Sequence, residues 1–595
     1  MINCIDFETD AIELYPNYPP KPVGVSIWYD NVEKPTYMAW GHPNGNNCSF
    51  DQAKAALSSI WKEPLLMHNA RFDMEVARQH FGLPYPKDAL NIHDTMFLIY
   101  LYDAHAPSLS LKPSAERILG IPPDEQNALQ AHLRSMRLKD YDYAKVSGEI
   151  VAPYANGDTF RTRKLYEVLL DHVNKHGMLP AYRREQKLAP ILSANEVDGI
   201  RIDLEGLETD LLSWEETYAR ITSQLLSVIG DCNPDSAAEL GKALLTSGFA
   251  KEEDFALTPT GKLSMSKASI AGAVKDAELV RLLGYRGNLK TTLTTFMRPW
   301  QRIASECSGR LHPQFNQVRG DVYGTRTGRL SSSNPNFQNV PTEFRGEPPP
   351  GYPTLPFMRK YILPDDGDIL VASDFNGQEM RITAHFAEGR AAEIYRNNPR
   401  ADFHQVVANL LKEEAGLTLS RKDVKTVGFS LIYGSGVSAL AELLSVDRGT
   451  ASRIKSHYFE ALPGFGELMH DVSSRGAAGL PVKTWGGRYI YAEPPKMVGN
   501  QHWTFEYKLL NHLIQGSAAD QTKEAIINAG YKTKHRRFLA TVHDENVYSC
   551  APNLLAHEVE EIQSSMEDQS GWDVPFRAEV EVGPNWHDLT PWEEE

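Results

Sequence analysis

The spacing of hydrophobic residues predicts alternating strands and helices in the first third of the chain. Short apolar runs at 2–7, 23–29 and 65–69 are typical of buried strands. The segments 74–81 and 162–173 have the spacing of helices. Residues 1–185 are therefore predicted to form an α/β unit.

The pattern changes after that unit. Leucine-rich runs such as 204–229 predict helices from about 190 to 300, broken by a polar connection at 255–267. A proline-rich loop at 346–356 precedes a buried-strand signal at 369–375, and 537–549 predicts two short strands around a polar turn. No repeat of fixed period is present, which argues against solenoids and propellers.

Length and composition narrow the class of protein. A chain of 595 residues predicts about four folding units at roughly 150 residues each. No apolar stretch approaches the roughly 18–20 residues that span a bilayer, so no membrane association is expected. The five cysteines show no CxxC spacing and the first residues show no secretion signal, which favours a reducing cytoplasm.

The formal charge of −16 argues against a uniformly basic packaging protein but permits a local basic channel. Residues 281–330 contain nine basic and two acidic side chains. Such a segment either neutralises nucleic-acid phosphates or is a solvated helix face, and its charge alone does not decide between them.

Oxygen ligands recur in the first unit. Asp6 and Glu8 alternate along a predicted strand and so face one side, Asp73 follows another strand, and Tyr154 and Asp158 share one face of a predicted helix. If they converge, the four acids could bind two divalent cations that hydrolyse a phosphodiester. Taken singly, each acid is a common surface or helix-end residue.

This set resembles the DEDDy-type 3′–5′ exonucleases that proofread for DNA polymerases, with Asn69 preceding Asp73 as in the family motif. The resemblance implies that Asp6, Glu8, Asp73 and Asp158 bind two metal ions and that Tyr154 orients the attacking water. No member of the set is missing, so an active exonuclease is expected.

A second pair of acids lies far apart in sequence. Asp374 ends a predicted strand and Asp544 lies in a turn 170 residues later, so a sheet could bring them together as another two-metal site. Spacing alone only suggests this.

A helix is predicted between these acids. Ser420 and Asp423 form a capping-box pattern and Gly434 with Gly436 supplies a stop. The helix carries two cations and two aromatic residues at intervals of four, namely Arg421, Lys425, Phe429 and Tyr433. Such a stripe suits the phosphates and base of a nucleoside triphosphate, whereas core packing would explain only the aromatics.

The helix and its flanking acids closely resemble the family A DNA polymerases, the group of bacterial DNA polymerase I and several phage replicases. The family's motifs A, B and C match residues 374–381, 421–434 and 543–545. The resemblance implies a multidomain α/β and α+β protein in which a ribonuclease H-like exonuclease domain precedes a right-hand polymerase. The expected domains are the exonuclease at 1–185, a thumb-like region at 186–305, palm at 306–385, fingers at 386–505 and the remaining palm at 506–595.

The resemblance also implies roles for individual residues of the polymerase. Asp374 and Asp544 would bind the metals with Glu545 as a nearby helper. Arg421, Lys425 and His404 would contact the triphosphate, and Lys425 would protonate pyrophosphate. Phe429 would pack on the nucleotide, Tyr433 would lie at the template-base pocket, and Glu379 would exclude a ribose 2′-hydroxyl.

Further residues are expected on the DNA side. The resemblance implies that Arg329, Gln338, Asn339, Asn511 and Gln515 contact the minor groove, where hydrogen bonds test pairing geometry without reading sequence, and that His543 faces the primer terminus.

The resulting prediction is a DNA-directed DNA polymerase with 3′–5′ proofreading. Its expected cofactor is Mg²⁺, two ions per active site, with Mn²⁺ as a substitute. Its partners would be primer-template DNA and deoxynucleoside triphosphates, and a helicase or processivity factor would be compatible. The chain starts directly with the exonuclease motifs, which favours a replicative, phage-type enzyme acting in the host cytoplasm. A single-subunit RNA polymerase and a non-catalytic DNA-binding scaffold are the alternatives, and Glu379 and the intact acids argue against them.

Overall fold

The N-terminal unit is built on a five-stranded mixed sheet. The computed structural model describes residues 2–258, 260–318, 325–342, 347–498 and 501–593. The strands are β1 (Asn3–Thr9), β2 (Pro22–Trp28), β3 (Thr36–Ala39), β4 (Leu65–Met67) and β5 (Ile92–Asp94). Their order is β3-β2-β1-β4-β5, in which β2 is antiparallel to both β1 and β3 while β4 runs parallel to β1 and β5. This is the predicted α/β unit.

This unit also contains helices. They are α1 (Phe50–Ile60), α2 (Ala70–Val76), α3 (Thr95–Tyr102), α4 (Leu111–Leu119), α5 (Asp124–Ser135) and α6 (Gly148–Lys175). Strand β1, at the centre of the sheet, is almost entirely buried. Its apolar residues Ile5 and Phe7 pack in one core with residues of the neighbouring strands. Helix α6 packs against β1 and β2, which holds its polar residues beside the acids of β1.

A helical arm follows, as predicted. Its helices are α7 (Leu179–Asp198), α8 (Leu204–Ile229), α9 (Ala237–Thr246), α10 (Lys267–Ala273), α11 (Ala277–Thr291) and α12 (Arg298–Glu306). The predicted polar connection at 255–267 lies between α9 and the first residue of α10, Lys267. Short ladders join β6 (Ile200–Arg201) to β7 (Arg310–Leu311) and β8 (Gln314–Asn316) to β9 (Ser331–Ser333).

A second sheet carries the other group of acids. Its central strand β10 (Ile369–Phe375) is followed by seven helices: α13 (Gln378–Ala387), α14 (Gly389–Asn397), α15 (Phe403–Ala415), α16 (Arg421–Ile432), α17 (Val437–Leu444), α18 (Arg448–Ala461) and α19 (Pro463–Ala477). Two short hairpins and a long helix come next: β11 (Val482–Lys483), β12 (Tyr489–Ile490), β13 (Lys496–Val498), β14 (Gln501–Trp503) and α20 (Leu509–Ala529). The chain then returns to the sheet through β15 (Arg536–Val542), β16 (Glu545–Cys550), α21 (Leu555–Met566), β17 (Ala578–Gly583) and β18 (Thr590–Pro591). The antiparallel order is β15-β16-β10-β17-β18.

Buried charges join the N-terminal unit to the rest of the chain. Arg488 donates to Asp520 at 2.8 Å and to the hydroxyl of Tyr100 at 2.9 Å. Lys523 pairs with Glu185 at 2.6 Å, and both side chains are almost fully buried. The predicted boundary between residues 185 and 186 lies inside α7, which runs without a break from Leu179 to Asp198. This helix packs against both α3 and α20. None of the described helices has the length and apolar character needed to cross a membrane.

Candidate active sites

The second sheet brings together the acids that lie far apart in sequence. Asp374 on β10 is the register partner of Glu545 on β16, and the backbone N–H of Phe375 donates to the carbonyl of Asp544 at 3.3 Å. On its other side Asp374 is paired in register with Glu579 on β17. The antiparallel strands therefore place Asp374 beside Asp544, as the sequence predicted.

The charges of this group affect one another. The carboxylate of Asp374 faces a cleft, where partial desolvation and then the charges of Asp544, Glu545 and Glu579 raise its pKa to about 8. Desolvation also raises the pKa of Asp544, against the smaller opposing effects of a backbone hydrogen bond and of the charge of Arg329. Carboxylates held this close are costly to keep ionised together, and a divalent cation would offset that cost, so the donor set fits a metal.

This shift predicts a pH dependence of stability. An unfolded aspartate has a pKa of about 3.9, so between about pH 4 and 8 the folded protein binds more protons at Asp374 than the unfolded chain does. Its contribution to stability is complete below pH 4 and is lost as the pH rises through 8. In EDTA, the melting temperature of Asp374→Asn should fall less between pH 5.5 and 8 than that of the wild type, and Mg²⁺ should reduce the wild-type loss at pH 8. Equal pH slopes in EDTA for the two proteins would contradict this cause.

Glu545 and Glu579, the two glutamates beside Asp374, have hydrogen-bond partners of their own. Glu545 accepts hydrogen bonds from Arg359 at 2.9 Å and from the indole of Trp586 at 2.7 Å. These bonds engage both of its oxygens. Glu579 accepts from Asn376 at 2.5 Å. Glu579 was not predicted, because its place beside Asp374 depends on the pairing of β17 with β10.

Helix α16 begins and ends as predicted. The hydroxyl of Ser420 accepts from the N–H of Asp423, whose carboxylate accepts from the N–H of Ser420. Gly434, just after the helix, has φ of +74°, which only glycine adopts without strain. The start and direction of the helix are therefore fixed locally.

The predicted stripe is present on α16. The Lys425 ammonium lies 5.9 Å from the ring centre of Phe429, and that ring stacks on Tyr433 with 6.1 Å between centres. His404 on α15 lies 6.0 Å from Phe429, and burial followed by the charge of Lys425 lowers its pKa to about 4. Arg421, at the start of the stripe, donates to Asp402 at 2.5 Å.

Glu379 connects this stripe to the predicted DNA side. Arg329 donates to one of its oxygens at 2.5 Å, and the hydroxyl of Tyr433 donates to the other at 3.1 Å. Gln515 of α20 also interacts with Tyr433. The carboxylate of Glu379 is thus held from two sides, beside the groups expected to contact base and primer.

Of the other residues predicted to contact DNA, Gln338 and His543 contact each other. Gln338 donates to the carbonyl of Thr541 at 2.6 Å and accepts from the N–H of His543 at 3.3 Å. Asn339 is exposed. Asn511 lies one turn before Gln515 on α20, and within the described part of the chain its side-chain oxygen is buried without a hydrogen-bond partner.

A separate acid cluster forms in the N-terminal unit. Oxygens of Asp6, Glu8 and Asp158 all lie within 4.8 Å of one another. Asp73 on α2 accepts from the N–H of Phe7 at 2.9 Å, which holds it against β1. The structure thus brings the four predicted acids together.

The electrostatics of this cluster also fit a bound cation. Burial is the largest cause that raises the pKa of Asp6, followed by the charges of Asp73 and Glu8. Burial is also the largest cause that raises the pKa of Asp73, to about 8. In the described structure Oδ1 of Asp158 is buried and lacks a hydrogen-bond partner. A buried carboxylate oxygen without a donor is costly unless a cation occupies the site.

One neighbour of this cluster was not predicted. The ammonium of Lys112 on α4 donates to Asp158 at 2.5 Å and lies 4.1 Å from the ring centre of Tyr154. Its charge lowers the pKa values of Asp6 and Glu8, against the larger effect of burial. A lone lysine after a serine-rich segment gave no signal in the sequence.

Most of the basic side chains in the segment 281–330 are paired with acidic side chains. Arg319 and Asp321 of this segment lie outside the described residues. The other basic residues, apart from Arg302, form ion pairs, and their acidic partners are Glu347, Asp235, Glu215, Asp365, Glu493 and Glu379. Acids from elsewhere in the chain thus compensate most of the charge, which the linear count could not show.

Comparison with known proteins finds relatives among the DNA polymerases. DNA polymerase I of Chloroflexus aurantiacus is 27% identical over 98% of this chain and 61% of its own length. The thermostable DNA polymerase I of Thermus aquaticus is 27% identical over 79% of this chain and 56% of its own length. DNA polymerase DpoZ of Salmonella phage PMBT28 is 24% identical over 95% of both chains. The chain thus spans only about half to three fifths of the bacterial relatives.

The fold also matches a solved structure. This structure is the POL domain of Pol1 from M. smegmatis in complex with DNA primer-template and dNTP. It matches with a TM-score of 0.77 and 21% identity, covering 99% of this chain and 96% of that one, which confirms the predicted multidomain fold class. The family model for DNA polymerase family A matches residues 205–588. Since that match covers more than half of its length, the chain belongs to DNA polymerase family A.

Proposed function

We propose that the chain catalyses template-directed DNA synthesis by transfer of nucleotides to a primer 3′-hydroxyl. The observation that carries this proposal is the convergence of Asp374 and Asp544 on one edge of a sheet, together with the cation-aromatic stripe of α16. In the reaction the 3′-oxygen of the primer forms a bond to the α-phosphate of a paired deoxynucleotide, and the bond to pyrophosphate breaks.

The side chains have separate tasks in this proposal. Asp374 and Asp544 hold Mg²⁺, which when bound lowers the cost of ionising the attacking hydroxyl and neutralises the phosphates. Arg421, Lys425 and His404 bind the triphosphate, and Lys425 donates a proton to departing pyrophosphate. To reach the phosphates, Arg421 must exchange its bond to Asp402.

The remaining contacts position the base pair and the DNA. Phe429 packs on the nucleotide and Tyr433 on the template side. Arg329, Gln338 and His543 would contact the minor groove and the primer terminus, and Asn339, Asn511 and Gln515 would extend that surface. The contact of Gln338 with the backbone at Thr541 and His543 supports this assignment.

The proposed domains are those of a right hand. The helices at 186–305 would be the thumb, the segments 306–385 and 506–595 the palm, and 386–505 the fingers. The antiparallel sheet lies in the two palm segments and α16 in the fingers, which supports this division. Primer-template DNA and deoxynucleoside triphosphates would be the substrates.

Sugar selectivity supplies a direct test of Glu379. Its carboxylate, fixed by Arg329 and Tyr433, would fill the space that a ribose 2′-hydroxyl needs. Glu379→Ala should therefore reduce discrimination against ribonucleotides by about tenfold or more. The measurement is kcat/KM, with Mg²⁺, for each deoxynucleotide and for the ribonucleotide with the same base. Glu388→Ala, at the residue just after α13, is the control. Unchanged selectivity in Glu379→Ala would remove the role.

We also propose 3′–5′ exonucleolytic proofreading by the N-terminal unit. The cluster of Asp6, Glu8 and Asp158, with Asp73 held beside it, supports this second activity. These acids would hold a pair of Mg²⁺ ions, and Tyr154 would orient the attacking water. Mn²⁺ would substitute at both sites.

The full-length similarity to the phage polymerase supports a replicative, phage-type role. The five cysteines are free thiols, which supports a reducing cytoplasm as the place of action. A helicase or processivity factor would be compatible with replication.

One experiment reports both activities. A labelled primer on a matched or mismatched template is incubated with Mg²⁺, with and without deoxynucleotides. The proposal predicts extension of the matched primer, shortening of both primers without nucleotides, and removal of the mismatch before extension. A protein that extends with ribonucleotides equally well would instead resemble an RNA polymerase, and one that binds DNA without reaction would be a scaffold.

A further inference from the structure

Lys112 contacts two residues of the proposed exonuclease site. Its ammonium lies between Asp158, to which it donates at 2.5 Å, and the ring of Tyr154, whose centre is 4.1 Å away. Only 11% of the lysine side chain is exposed. A lysine pays a large desolvation cost at such a place, so its position calls for a compensating interaction.

The other basic side chains near the acid cluster, Arg161 and Arg163, have partners elsewhere. Arg161, one turn after Asp158 on α6, directs its guanidinium to Glu125 and to the carbonyl of Pro122. Arg163 pairs with Asp30 at 3.5 Å and packs over Trp28. Lys112 is thus the cation that directly contacts the acid cluster in the described structure.

Lys112 lies between an acid and a tyrosine that the proposed exonuclease reaction would use. A phosphodiester that binds at the metal-binding acids and receives water from the side of Tyr154 must come close to a group that contacts both Asp158 and Tyr154. The four-carbon stem of a lysine lets its ammonium move from a carboxylate to a phosphate oxygen without a change in the backbone. Positive charge at that oxygen stabilises the transition state more than the ground state.

We propose that Lys112 is a further catalytic residue of the exonuclease site: its ammonium balances the acids before metal binds and contacts the scissile phosphate during hydrolysis. This inference rests on the proposed exonuclease function. In the step, a water oxygen forms a bond to phosphorus and gives up a proton to solvent. The bond from phosphorus to the 3′-oxygen of the preceding nucleotide breaks, that oxygen takes up a proton from solvent, and a nucleoside 5′-monophosphate leaves.

The test uses the full chain with Lys112→Met, Lys112→Gln and Lys112→Arg. The matched control is Lys164→Met, because Lys164 pairs with Glu167 at 2.8 Å on the exposed face of α6. Two quantities are measured for each protein: the single-turnover rate of excision from a single-stranded oligonucleotide as a function of Mg²⁺, and the melting temperature in EDTA and in Mg²⁺. Primer extension by the same preparations reports that the variants are folded.

The proposal predicts that Lys112→Met and Lys112→Gln excise about 100-fold more slowly than the wild type even at saturating Mg²⁺. Lys112→Arg should retain most of the rate, Lys164→Met all of it, and extension should be unchanged in every variant. In EDTA, Lys112→Met should melt at a lower temperature than the wild type, and Mg²⁺ should narrow the difference.

Three results would overturn the proposal. Wild-type excision by Lys112→Met at saturating Mg²⁺ would show that the lysine does not contact the phosphate. An unchanged melting temperature in EDTA would show that it does not balance the acids. A wild type that excises nothing under any Mg²⁺ concentration would instead remove the exonuclease function itself, and this inference with it.

Discussion

Replacing Asp374 with asparagine is expected to lower the rate of primer extension by about a thousandfold or more, while excision of the 3′ end stays at the wild-type rate. Asparagine keeps the shape of the side chain but removes a negative charge from the strand β10, where register places it between Glu545 and Glu579. The site then loses an anionic ligand for cations whose charge the transfer of a phosphoryl group requires.

The matched control for this prediction is Asp366→Asn. Asp366 lies eight residues before Asp374, its side chain is 84% exposed, and it pairs with Arg201 at 2.8 Å. An exposed pair of this kind contributes little to stability, so extension by this variant should be unchanged. Single-turnover extension is the readout. Near-wild-type extension by Asp374→Asn would place the catalytic carboxylates elsewhere.

Replacing Asp6 with alanine is expected to have the opposite pattern. Excision should fall by about a thousandfold or more and extension should remain, because Asp6 shares its cluster with Glu8 and Asp158 in the N-terminal unit and has no part in the second sheet. Release of nucleoside monophosphates from a single-stranded oligonucleotide, measured beside extension of a matched primer, tests both halves.

Asp10→Ala is the control for Asp6. Asp10 is exposed just beyond the end of β1, so it belongs to the same segment but not to the acid cluster. The Asp10 variant should excise and extend like the wild type. Loss of both activities in Asp6→Ala would mean that the two sites are not separate, or that the N-terminal unit supports the fold of the rest.

The sequence allowed the main acids and the helix α16 to be predicted because local rules govern them. Alternation along a strand places Asp6 beside Glu8, and a capping box with a later glycine defines α16. The pairing of Asp374 with the region of Asp544 needed more than local rules. The family resemblance supplied that pairing, and the antiparallel order of β10 and β16 now explains it.

Other features depend on contacts between distant segments, which no local pattern encodes. Lys112 reaches Asp158 only because α4 packs on α6. Glu579 joins Asp374 only through the pairing of β17 with β10. For the same reason the apparent basic strip at 281–330 is largely paired with acids from elsewhere, and a domain boundary placed at 185/186 divides a continuous helix.

The central claim is that Asp374 and Asp544 share catalytic cations beneath α16. The most direct measurement is a crystal structure of the chain with primer-template, an incoming deoxynucleotide that cannot be hydrolysed, and Mn²⁺, whose anomalous scattering locates each ion. The account predicts two manganese peaks, both within bonding distance of oxygens of Asp374 and Asp544, with the triphosphate against Lys425. Peaks that contact neither aspartate, with a nucleotide ordered against α16, would contradict it.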